Sequence, residues 1–256
     1  MSNLYKAFEN GKAFIPFITC GDPDIATTEQ IIYSMIENGA SLIELGIPFS
    51  DPMAEGVVIQ EANMRALKND TKINHIFEML ERIQKRITIP MAFMTYANVV
   101  FAYGSDKFLK NAKDVGIGGL ILPDVPFEEK QEFEPVCIKN EIDLISFIAP
   151  TSNDRIAMIA KEAKGFIYCV SSLGVTGVRK HIDTNIKDMI TCAQEVSEIP
   201  VAVGFGIETP NQAREIAQYA NGIIVGSAIV KLCAQYKTKS PEYIGRYVKE
   251  MSNAIR

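Results

Sequence analysis

Ser41-Leu42-Ile43-Glu44-Leu45-Gly46-Ile47 is a short apolar run interrupted by one acid. It is too short for a helix of ordinary length and reads as a strand buried on both faces. Seven further runs have similar length and content: Phe14–Thr19, Pro90–Tyr96, Gly118–Val125, Asp143–Pro150, Gly165–Ser172, Pro200–Ile207 and Gly222–Ile229. Helical patterns lie between them. Ile73, Ile76, Phe77, Leu80 and Ile83 form one apolar stripe between Ile73 and Arg86. Thr209 and Pro210 supply an N-cap and a first-turn proline, and Ser152 or Asn153 caps a helix carrying Ile156, Ile159 and Ala163. Strand and helix in alternation, eight times over, predict parallel strands joined by right-handed crossovers. Eight such units in 256 residues fit a single α/β domain over residues 1–256, a closed (β/α)8 TIM barrel. An open doubly wound sheet is the alternative, but it more often carries an early Gly-x-Gly-x-x-Gly turn, and none follows the first run. The gap between the second and third runs is the longest, which predicts an extra helix or loop between Gly56 and Thr71. Leu4 and Phe8 precede the first strand and predict a short N-terminal capping helix at the opposite end of the barrel.

Bulk properties narrow the function. Hydrophobic residues make up 47% and charged residues 22%, the range of a soluble globular chain. A net charge of −5 with no Lys/Arg run disfavours nucleic-acid or membrane-surface partners. Cys20, Cys137, Cys169, Cys192 and Cys233 are scattered, with no Cys-x-x-Cys pair and only His75 and His181 to assist, so no metal site is expected. Reduced thiols, a polar start without a signal-peptide core and no run long enough to span a membrane predict a cytoplasmic protein.

A barrel places its chemistry at the C-terminal ends of its strands and in the loops that follow. Side chains alternate along a strand, so Ile43, Leu45 and Ile47 share the face toward the helices. Leu42, Glu44 and Gly46 then face the lumen. An inward acid with no nearby Lys or Arg in the sequence is costly to bury ionised, and desolvation raises its pKa into the range of a general acid/base. The structural alternative is a glutamate ion-paired to a neighbouring strand. The next loop, Pro48 to Gly56, carries Asp51 and Glu55. Solvation or helix capping accounts for loop acids in general, but these two directly follow Glu44.

Three glycine-bearing loops follow strands six, seven and eight: Ser172-Leu173-Gly174-Val175-Thr176-Gly177, Gly204-Phe205-Gly206-Ile207 and Gly226-Ser227-Ala228. Glycines let backbone N–H groups converge on a phosphate, and a helix starting near Ser227, over Ala228 to Ala234, can aim its N-terminus at the anion. Phe17, Met94, Tyr96, Tyr168 and Phe205 are candidates to line a flat apolar pocket, against the ordinary alternative of core packing. A substrate with a phosphorylated polyol tail and an apolar head fits this combination.

The sequence resembles the α subunit of tryptophan synthase. The matching segments are Phe14-Ile15-Pro16-Phe17-Ile18-Thr19 with Gly21-Asp22-Pro23, Glu44-Leu45-Gly46-Ile47-Pro48-Phe49-Ser50-Asp51-Pro52, Tyr96-Ala97-Asn98, Asp124-Val125-Pro126, Gly174-Val175-Thr176-Gly177, Gly204-Phe205-Gly206-Ile207 and Gly226-Ser227-Ala228-Ile229-Val230-Lys231. They occur in the family's order across essentially the whole chain. The resemblance implies reversible retro-aldol cleavage of indole-3-glycerol phosphate to indole and glyceraldehyde 3-phosphate. It implies no cofactor in this chain, and a β subunit partner that carries pyridoxal phosphate in an αββα heterotetramer.

By the same resemblance Glu44 shuttles a proton to indole C3, and a second carboxylate holds the indole N–H. Phe17, Tyr96 and Phe205 fall on the indole pocket, and Tyr168 near the glyceryl group. Gly177, Gly206, Gly226 and Ser227 fall on the phosphate site, and Thr176 on a loop that closes over substrate. Asp51 and Tyr96-Ala97-Asn98 are candidate partner contacts. One departure stands out: where the family has aspartate, glycine, proline, this chain has Glu55-Gly56-Val57. The charge is kept on an arm one methylene longer, and the expectation is an active site that accommodates Glu55. The alternatives are an impaired subunit that only activates its partner, a free-standing lyase, and an unrelated sugar-phosphate barrel enzyme.

Overall fold

All eight apolar runs carry strands in the computed structural model, which describes residues 3–170, 185–204 and 206–256. The strands are β1 (Ala13–Thr19), β2 (Ile43–Gly46), β3 (Met91–Met94), β4 (Ile117–Ile121), β5 (Asp143–Leu144), β6 (Ser146–Ile148), β7 (Ile167–Val170), β8 (Val201–Gly204) and β9 (Gly222–Val225). The fifth run holds two of them. Its first half pairs with β4 and its second half with β7, in a sheet of order β5-β4-β3-β2-β1-β9-β8-β7-β6 whose pairs are all parallel. Only Ile145 separates the two ends of that order, and its N–H donates to the Leu120 carbonyl at 2.9 Å. The sheet therefore closes through one stave that changes neighbours midway, as staggered, tilted barrel strands do. The architecture is the expected eight-stave β/α barrel.

Both faces of the staves are buried because each has its own core. Ile15, Leu42, Ala92, Ile121, Phe166, Tyr168 and Ala202 fill the lumen, plugged from below by Leu4 and Ala7 of the 3-10 helix Asn3–Phe8. Ile43, Leu45, Phe93 and their neighbours pack outward against the helices, where Phe77 meets Phe93 edge-on at 5.8 Å. The parity read from the second run thus holds. The helix Ser240–Ala254 closes the outer ring against Ile25–Glu37. The Ser34 hydroxyl donates to the Pro241 carbonyl at 2.6 Å, and the Ser252 hydroxyl to the Asn38 carbonyl at 3.2 Å.

Local signals place the helix ends. Thr209 caps Pro210–Ala217 in a reciprocal box with Gln212, and Ser152 caps Asn153–Glu162 through the Arg155 N–H. The apolar stripe from Ile73 runs as an α-helix to Ile83 and tightens into a 3-10 turn over Gln84–Arg86. The long gap after β2 contains the helix Val57–Lys68. No described helix is long and apolar enough to cross a membrane.

Candidate active site

Glu44 is 1% exposed and lies in register between Phe17 of β1 and Ala92 of β3. Neither carboxyl oxygen has a hydrogen-bond partner among the described residues. None of the ion pairs formed among the described residues involves it, and the neighbouring strands offer it no ionic partner there. Burial pushes its pKa up to about 8, and the charge of Glu55 adds to the rise.

The second acid reaches the same space from the loop after β2. Glu55 is 5% exposed, and burial pushes its pKa up to about 7. Two neutral groups oppose that rise. Asn63 Nδ2 donates to Glu55 Oε2 at 2.8 Å, and the nearby Tyr96 hydroxyl also lowers the pKa. The Glu55 carbonyl accepts from Gln60 Nε2 at 2.7 Å, so the start of the helix Val57–Lys68 grips both ends of the residue. No local sequence motif marks Asn63 or Gln60 as site residues. The available signal is one polar residue within the buried stripe Ile59, Ala62, Asn63 and Ala66.

Phe17 is buried at the barrel mouth with Ile59, Ala62, Val230 and Met94. Gly46 makes room for it: a Cβ there would lie 2.6 Å from Phe17 Cζ. Tyr168 on β7 packs against Phe147 at 4.8 Å, and a Cβ on Gly204 would lie 2.7 Å from its Cε1. Burial holds the Tyr168 hydroxyl well above its ordinary pKa, and the nearby Glu44 charge raises it further. Tyr96 stacks on Phe49 at 5.2 Å, and its hydroxyl accepts the Ala54 N–H at 3.1 Å. It therefore braces the loop that carries Glu55.

Across the mouth, Gly206 takes a positive φ of 75°, and Gly226 directly precedes the helix Ser227–Tyr236. Ser227 is that helix's first residue, so the helix is longer at both ends than the expected Ala228 to Ala234. Its first-turn N–H groups point out of the helix end at the C-terminal side of β9. Thr176, Gly177 and Phe205 lie outside the described residues.

Two part-buried contacts fix the loops around this mouth. Asp22, 1% exposed, accepts from Arg65 Nε at 2.9 Å and Nη2 at 2.8 Å, tying the loop after β1 to the helix that bears Asn63. Asp124 accepts the Ala97 N–H on its carboxylate at 3.1 Å, tying the loop after β4 to the one after β3. Asp51 and Asn98 are exposed on the rim. All five cysteines are free thiols.

Fold and site together define a β/α-barrel whose mouth holds two buried acids and a glycine-lined helix N-terminus. The family model for the tryptophan synthase alpha chain matches residues 4–255. The chain is 44% identical over 255 residues to the tryptophan synthase alpha chain of Lacticaseibacillus casei, covering 100% of this chain and 96% of that one. It is similar to a structure of Mycobacterium tuberculosis tryptophan synthase, with a TM-score of 0.90 and 31% identity over 100% of this chain and 98% of that one. It is also similar to a chain of the tryptophan synthase a2b2 complex from Pyrococcus furiosus, with a TM-score of 0.87 and 34% identity over 94% of this chain and 98% of that one. The chain belongs to the tryptophan synthase alpha chain family. Its activity is that of a carbon–carbon lyase, the cleavage of indole-3-glycerol phosphate in tryptophan biosynthesis.

Proposed function

We propose that Glu44 and Glu55 divide the acid–base work of this cleavage. The observation that carries the reading is a buried carboxyl, Glu44, unpartnered among the described residues, beside a second acid held by a neutral donor. A protonated Glu44 delivers its proton to indole C3. C3 becomes tetrahedral and the ring nitrogen cationic. The C3–C bond to the glyceryl carbon then breaks, and its electron pair restores the aromatic indole. The glyceryl hydroxyl loses its proton and becomes the aldehyde of glyceraldehyde 3-phosphate. The Glu44 carboxylate left by the first step accepts that proton, so the site ends as it began. The ionised Glu55 accepts the indole N–H and stabilises the intermediate cation, an electrostatic task suited to a water-poor site.

Phe17 and Tyr168 form apolar walls, with Phe205 as a further wall and Tyr96 acting through Glu55. Gly206, Gly226 and Ser227 bind the phosphate through backbone N–H groups and the helix end, together with Thr176 and Gly177. Acid–base groups suffice for this reaction, so the chain uses no cofactor of its own. The partner is a tryptophan synthase β subunit that carries pyridoxal phosphate, in an αββα assembly contacting Asp51 and Asn98. The complex is cytoplasmic.

The test is indole release from indole-3-glycerol phosphate, with and without the β subunit. Release that is strongly reduced in Glu55→Ala supports the division of roles. Undiminished release in that variant removes Glu55 from the chemistry.

A further inference from the structure

The two acids in the barrel mouth receive opposite treatment from their surroundings. Glu44 has no hydrogen-bond partner among the described residues. Glu55 has a side-chain donor, Asn63 on the helix Val57–Lys68, and the Tyr96 hydroxyl lies nearby and also lowers its pKa. Asn63 is itself 4% exposed, so its amide is not free to turn to solvent. The helix that carries Asn63 is anchored in turn by the Asp22–Arg65 pair, two residues further along.

We propose that Asn63 is a positioning residue for Glu55: its buried amide fixes where that carboxyl points and, because Nδ2 only donates, selects the ionised form. The inference rests on the role given to Glu55 above and extends it to a residue that never touches substrate. An amide Nδ2–H has no lone pair to offer a carboxylic proton, so bonding there favours the anion. It also occupies one oxygen, leaving the other lone pairs of Glu55 for a donor such as an indole N–H. The charged and titratable groups facing Glu55 are Glu44 from β2 and Tyr96 from the end of β3, with Asp124 beside Tyr96 and Tyr168 beside Glu44. None is a cation. Without Asn63, burial would favour protonating Glu55, and the two acids would lose their distinction.

The test uses the intact chain labelled with 13C at glutamate carboxyls and 15N at asparagine amides. Glu55→Gln and Asn63→Leu identify the two signals. In the wild-type protein the Asn63 amide shift follows the Glu55 titration, and in Glu55→Gln that response disappears. Asn63→Leu moves the Glu55 midpoint up by about one pH unit and carries the acidic limb of kcat/KM with it. In a Glu55→Gln background, Asn63→Leu brings little further loss of kcat/KM. An Asn63 amide blind to the Glu55 titration overturns the proposal, even if Asn63→Leu fails to fold. So does an Asn63→Leu loss that is equal in both backgrounds with an unmoved midpoint. If the NMR coupling holds but Glu55→Gln turns over normally, the positioning contact stands and the catalytic role of Glu55 fails.

Discussion

Gly46 lies against the ring of Phe17 so closely that a Cβ at Gly46 would come within 2.6 Å of Phe17 Cζ. Phe17 also packs on Ile59, Ala62 and Val230, so the ring has little freedom to retreat from the added methyl. Gly46→Ala therefore strains the packing of Phe17 beside Glu44. The expected outcome is an overpacking cost of about 1–3 kcal/mol in denaturant unfolding and a raised KM for indole-3-glycerol phosphate. An unchanged KM would show that Phe17 is packing alone.

Glu44 makes the folded chain less stable as pH rises. Its folded pKa, about 8, stands above the ordinary value of 4.5. Between those values the folded state binds more protons than the unfolded state, so stability falls with rising pH across that window and levels off above it. Glu44→Gln removes the ionisation and should be more stable than wild type on the alkaline side, by roughly 2 kcal/mol or more, with the gain shrinking toward pH 4.5. Thermal melts of both proteins across that window measure it. A constant difference at all pH values contradicts the linkage.

Most of the barrel was legible in the sequence because strands buried on both faces leave unbroken apolar runs. The lumen-facing set followed from parity at Leu42, Glu44 and Gly46. The split of the fifth stave at Ile145 was not legible, since the chain stays apolar through the change of partner. In the site, Glu44 could be read from one strand, but the bracing of Glu55 could not. The Ala54–Tyr96 contact spans 42 residues and the Asp22–Arg65 pair 43, and no local pattern encodes either. Met94 and Phe17 pack together at the mouth, and the Tyr96 hydroxyl braces the loop that carries Glu55.

Arg65 matters through the acid it covers. Arg65→Ala would leave Asp22, 1% exposed, without its bidentate partner. Removing one member of such a pair costs about 3 kcal/mol, and the helix bearing Asn63 loses its anchor to the loop after β1. Chemical unfolding should show that loss. Asp22→Asn combined with Arg65→Met should recover part of it, because no unpaired buried charge remains. A double variant as unstable as Arg65→Ala alone would count against this reading.

Ser227 opens a helix whose N-terminal N–H groups face the mouth. Ser227→Asp sets a fixed negative charge where the substrate phosphate is proposed to sit. KM for indole-3-glycerol phosphate should rise about 10-fold or more, while the melting temperature holds or increases, since an acid suits a helix N-terminus. Steady-state kinetics alongside a melt separates the two. An unaltered KM would place the phosphate elsewhere.

The central claim is that the buried Glu44 carboxyl is the proton donor and acceptor of the cleavage. It is tested most directly by indole release from indole-3-glycerol phosphate by wild type and Glu44→Gln, compared at one pH on each side of about 8 with substrate binding measured in parallel. The account predicts a loss of about 100-fold or more in kcat for Glu44→Gln, with binding and fold retained. Turnover close to wild type in that variant would contradict it.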